Sequence, residues 1–88
     1  MALYGMDVEQ VRSLASLLTQ KADSIEQVIQ EITNRLAGTD WKGPDAEQFR
    51  NDWNSTLVPS LRRVKDTLTE TSQRATRNAQ DQEQASAH

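Results

Sequence analysis

Residues 8–36 read VEQVRSLASLLTQKADSIEQVIQEITNRL. Within this stretch Val8, Val11, Ala15, Leu18, Ala22, Ile25, Ile29, Ile32 and Leu36 follow one another at alternating steps of three and four, and neither proline nor glycine interrupts them. That is an a/d heptad seam, and it predicts a helix of about thirty residues. Asp7 stands where an N-cap is needed, with Gln10 three positions later as the second half of a capping-box-like pair. Leu14, Leu17 and Val28 fall beside the seam, so the apolar face is wider than one neighbouring helix covers and a second partner surface is implied.

The second half of the chain repeats the pattern. Gly38 and Thr39 are suited to stop helix 1, and Gly43-Pro44 restarts the chain with proline at a first helical position. Asp45 and Glu47 then put negative charge in the new first turn, where the helix dipole favours it. Ala46, Phe49, Trp53, Leu57, Leu61, Val64, Leu68, Thr71 and Ala75 recur on one face, with one extra step of four that constitutes a stutter. Pro59 lies inside this segment and removes a backbone donor, so a bend is expected there at a cost of about 3 kcal/mol unless packing absorbs it.

These signals predict an all-α fold, an antiparallel two-helix hairpin that dimerises into a four-helix bundle. Helix 1 is expected over about 7–38, the turn over 39–44, helix 2 over about 45–80 and a flexible tail over 81–88, all in one domain. Folding the helices about the turn sets Leu36 near Ala46 or Phe49, Ile29 near Trp53, Ala22 near Leu61, Ala15 near Leu68 and Val8 near Ala75. Chain beyond about Arg77 then has no antiparallel partner and is expected to fray from Asn78 onward. The expected dimer or bundle core is Leu14, Leu18, Ile25, Val28, Ile29, Ile32, Phe49, Trp53, Leu57, Leu61, Val64 and Leu68.

Composition supports oligomerisation. Hydrophobic residues make up 35% of the 88, below the usual figure of about 45–50% even with the three glycines added. With no cysteine to supply a disulfide or thiolate metal site, a partner is the remaining way to complete a thin core. Ten Lys and Arg against thirteen Asp and Glu give a net charge of −3 with both signs interspersed, which recommends no nucleic-acid partner. Apolar runs of two or three residues exclude a membrane-spanning helix, and the N-terminus has neither the basic nor the apolar region of a Sec signal peptide.

Catalytic, cofactor and metal constellations are not expected: the one histidine is the terminal His88, and no phosphate loop or metal-ligand spacing occurs. Arg62, Arg63, Lys65, Arg74 and Arg77 alternate with Asp66, Glu70 and Asp81, as on a salt-bridged solvent face. Trp41 differs from the other aromatics, because in Thr39-Asp40-Trp41-Lys42-Gly43-Pro44 it belongs to neither seam. Two roles suit it, a plug at the end of the bundle and a contact for a partner.

Trp41-Lys42-Gly43 placed centrally between two helices, followed by Asp45-Ala46-Glu47-Gln48-Phe49 and Trp53, resembles the Trp-Xaa-Gly (WXG100) superfamily over nearly the whole chain. The resemblance implies a non-enzymatic substrate of a type VII secretion system in an actinobacterial or related Gram-positive host. It implies a homodimer, or a heterodimer with a paralogous Trp-x-Gly protein, exported by an ATPase-driven system, with Trp41 and Gly43 as the motif positions; the first functional expectation is that the secretion ATPase recognises the turn they form. Such a protein is secreted without a Sec signal after a cytoplasmic pool, with no stable membrane insertion. One departure is that the Tyr-x-x-x-Asp/Glu export signal found after helix 2 in many members is missing: Tyr4 is the only tyrosine, and Ala79 stands where it would fall ahead of Glu83. Either a partner supplies that signal, or other tail features are read, or the chain is not exported on its own. The alternative function is a helical adaptor or chaperone-like partner that targets a larger effector or toxin to the same route.

Overall fold

The computed structural model describes residues 5–86; Tyr4, Ala87 and His88 lie outside the described residues. Helix α1 spans Val8–Ala37, α2 spans Pro44–Asp52 and α3 spans Val58–Ser86, with a π-helical turn over Trp53–Leu57 joining α2 to α3. These last three pieces form one continuous rod, which packs antiparallel against α1, mainly through α3. The fold is the expected all-α hairpin, a single layer of two helices measuring 66 × 18 × 13 Å.

Helix α1 starts as its sequence demands. Asp7 accepts a hydrogen bond from the Gln10 N–H at 3.1 Å, satisfying one of the orphan donors of the first turn. At the other end the Gly38 N–H reaches the Asn34 carbonyl at 3.1 Å and the Thr39 hydroxyl reaches the Arg35 carbonyl at 2.5 Å. All nine residues of the α1 seam are buried or half-buried, and Ala15, Ala22 and Ile29, seven apart, form its innermost line. Two alanines on that line let the helix axes approach closely.

Helix 2 departs from the sequence reading in phase. At the π turn the Val58 N–H bonds to the Trp53 carbonyl, five residues back, just ahead of Pro59, which has no N–H of its own to offer the ladder. The wider turn absorbs the stutter and puts Val58, instead of Leu57, in phase with Trp53. Beyond it the residues facing α1 are Val58, Leu61, Lys65, Leu68, Ser72, Ala75 and Ala79, all buried or half-buried. Leu57, Val64 and Thr71, read as part of the same face, are each one residue off and exposed.

The register also slides. Ser72 donates to the Ala15 carbonyl at 2.6 Å and lies 2.8 Å from the Thr19 hydroxyl, so Ala15 meets Ser72, one turn beyond the expected Leu68. Trp53 is the point of entry, its Nε1–H donating to the Thr33 hydroxyl at 3.0 Å. The turn and the first two turns of helix 2 are spent rounding the end of α1, which carries all later residues further along it. Helix 2 therefore has a partner for longer than expected: Ala79 is fully buried, Glu83 meets Arg12, and the helix continues through 81–86, where the sequence pattern predicts the start of a flexible tail.

The two edges of the hairpin differ in chemistry. Arg12, Thr19, Glu26 and Thr33, also seven apart, lie to one side of the α1 seam, and each makes a polar contact to helix 2. Arg12 forks onto Glu83 with both bonds at 3.1 Å, and Glu26 faces Arg62 at 3.7 Å and Lys65 at 3.6 Å, the latter pairs lying beyond hydrogen-bond range. Such exposed pairs contribute at most about 1 kcal/mol each, so they fix register more than they stabilise. On the opposite side, helical phase places Leu14, Leu18, Ile25, Val28 and Ile32 of α1 beside Leu57, Leu61, Val64 and Leu68 of helix 2. In that apolar edge Leu14 is 51%, Val28 45% and Val64 48% exposed.

Ile29→Ala removes the largest fully buried side chain and is expected to lower stability by about 2–4 kcal/mol. Chemical denaturation followed by circular dichroism measures it, and a loss under about 1 kcal/mol contradicts the packing described.

Candidate recognition site

The turn between the helices concentrates the unusual chemistry. Gly43 has φ 115°, the one positive φ in the described chain, and a Cβ built there would meet nothing within 4 Å. Glycine is required for backbone conformation alone, since an L side chain is strained in that region whatever the space around it. That conformation aims the chain into Pro44 at the start of α2, while the Trp41 N–H bonds back to the Thr39 carbonyl at 3.0 Å.

Three aromatic rings run from the turn into the hairpin. Trp41 and Phe49 have centroids 6.3 Å apart with planes inclined at 45°, and Phe49 and Trp53 are also 6.3 Å apart but inclined at 24°. Both distances lie in the favourable range for aromatic pairs. Exposure is graded along the row: Trp53 is buried at 4%, Phe49 stands at 36% and Trp41 at 42%. Trp41 thus has one side packed on the hairpin tip and the other open.

Arg50 holds this arrangement and was not singled out from the sequence. Its guanidinium donates to the carbonyls of Trp41 at 2.7 Å, Thr39 at 3.0 Å and Leu36 at 3.3 Å, and its central carbon lies 6.0 Å from the centroid of the Trp41 ring. The Leu36 carbonyl, which also accepts the Thr39 N–H at 3.4 Å, lies at the C-terminus of α1, where the helix dipole favours a cation. A signal existed: Arg50 is the only basic residue between Gly43 and Leu61, and the end of α1 needs a donor.

The expected core residues divide among three environments. Ile29 and Trp53 are buried; Leu18, Ile25, Ile32, Leu61 and Leu68 are half-buried; Leu14, Val28, Phe49, Leu57 and Val64 are exposed in the single hairpin. Trp41 and Gly43 lie together at the tip as the motif requires. Among the described residues no group of three or more His, Cys, Asp or Glu is placed to hold a metal ion, and no helix is long and apolar enough to cross a membrane.

A helical hairpin of this size, with an exposed tryptophan and a conformationally obligatory glycine two residues on, is a Trp-Xaa-Gly protein in class. The sequence model of the family described as "WXG100: Proteins of 100 residues with WXG" matches residues 4–86, and the chain belongs to that family. No curated protein and no solved structure matches it.

Replacing Gly43 by alanine is expected to cost about 1–3 kcal/mol through backbone strain. Thermal melting reads this directly, and an unchanged midpoint would show that the turn relaxes to another conformation.

Proposed function

We propose that the protein is a non-enzymatic substrate of a type VII secretion system, acting as a helical dimer whose Trp-x-Gly turn is recognised by the secretion ATPase. Family membership supports the class, a small secreted helical substrate. The observation that carries recognition is the half-open indole of Trp41, held at the hairpin tip against the Phe49 ring with the Arg50 guanidinium beside it. Recognition needs no chemistry beyond this: a pre-positioned aromatic anchor fills a partner's pocket at small entropic cost.

Dimerisation rests on surface arithmetic. The chain exposes 6681 Å², whereas a compact monomer of its 9.9 kDa would expose about 5,200 Å². The excess of about 1,500 Å² exceeds the roughly 800 Å² that one partner buries in a standard interface. Pairing two apolar edges makes a four-helix bundle from two single layers. In an antiparallel pairing the turn of one hairpin lies near the helix 2 end of the other, so that the ATPase reads a composite of Trp41 and the partner's tail. Homodimer and heterodimer with a paralogue both satisfy this geometry.

The apolar edge also favours a second reading, in which the hairpin is an adaptor that accepts a helix of a larger effector or toxin and targets it to the same route. The solution mass separates the two: a strongly helical species at about twice 9.9 kDa by light scattering is expected. A poorly helical monomer that gains helix only with an effector would favour the adaptor.

Trp41→Ala is expected to remain a folded dimer while its export falls by at least about tenfold. Normal export of a folded Trp41→Ala dimer would sink the recognition role.

A further inference from the structure

The three carbonyls that Arg50 gathers belong to different parts of the turn. Leu36 is in the last turn of α1, Thr39 follows the helix stop, and Trp41 is the motif residue itself. Lysine, with a single charged nitrogen on a flexible stem, does not present the planar fork that spans such a set. The same guanidinium lies near the Trp41 ring, so one side chain fixes both the backbone and the indole of that residue. Among the described residues no carboxylate comes within ion-pair distance of Arg50, which leaves its charge directed at carbonyls and ring alone.

We propose that Arg50 is a positioning residue for recognition, locking Trp41 in the pose its partner reads. The inference rests on the recognition role given to Trp41 above. Arg50 reaches the turn from the second turn of α2, so the angle between α2 and the end of α1 is conveyed to the indole through the guanidinium. The remaining contacts of Trp41, its own N–H to Thr39 and the ring of Phe49, do not fix rotation about the backbone on both sides of the residue. Without Arg50 the turn keeps Gly43 and Pro44 but loses the tie that crosses it.

The test labels the full-length protein with 5-fluorotryptophan, which gives one fluorine resonance each for Trp41 and Trp53, assigned through Trp41→Phe. In Arg50→Ala the Trp41 resonance is expected to move toward that of a solvent-exposed indole, with the Trp53 resonance, helicity and solution mass unchanged. Export into the medium by its own secretion host falls about as far as in Trp41→Ala, and the double variant falls no further, as for two residues acting as one unit. Arg50→Lys, retaining charge without the fork, recovers only part of both signals. An unmoved Trp41 resonance in Arg50→Ala overturns the proposal, and so does a loss of helicity in which both resonances shift together. Normal export of Trp41→Ala removes the recognition reading instead, whatever the fluorine spectra show.

Discussion

Two helices lying side by side can exclude water only from the seam between them, and this single-layer geometry governs the rest of the molecule. A seam one residue wide is closed by small side chains at its centre, so Ala15, Ala22 and Ala79 are among its most buried members and the larger Ile29 and Trp53 are the exceptions. Small central residues shift apolar bulk outward to the two flanks. One flank is closed by polar contacts at Arg12, Thr19, Glu26 and Thr33. The other leaves Leu14, Val28, Leu57 and Val64 exposed and Leu18, Ile25, Ile32, Leu61 and Leu68 half-buried, and it is on this flank that a second layer can complete the core.

The tip meets the same constraint differently. Where the chain turns, the seam ends and helix termini leave backbone carbonyls without partners. Aromatic rings cover the end, and the Arg50 guanidinium adds a side-chain donor to the Leu36 carbonyl of the last α1 turn and to the Thr39 and Trp41 carbonyls of the loop. The tryptophan of the motif is therefore structural on one side and available on the other; these are two faces of one indole.

How much of this was legible in the sequence differs between the helices. In α1 the heptad pattern runs unbroken from Val8 to Leu36, and seam, cap, stop and wide apolar face all lie where the spacing puts them. Helix 2 carries two overlapping stripes, and choosing between them depends on a π turn that periodicity does not announce, although the stutter and Pro59 mark its place. Periodicity without that turn places Leu57, Val64 and Thr71 inward and leaves Ser72 and Ala79 out. The register slipped because the span needed to round the end of α1 is a property of the turn, which in sequence is only six residues long. Trp41 and Gly43 were readable from their motif, whereas Arg50 carries no periodic signal and acts through backbone atoms that no side-chain pattern records.

The π turn sets the rotational phase of every residue after it, and so decides which stripe of helix 2 faces inward. The inward set at 58, 65, 72 and 79 is Val, Lys, Ser and Ala; the set one residue earlier, at 57, 64, 71 and 78, is Leu, Val, Thr and Asn. An uninterrupted α-helix in phase with Trp53 would have turned Leu57 and Val64 inward. The one-residue widening instead reserves these two side chains for the outside, so the hairpin withholds from its own seam the apolar groups best able to close a shared one.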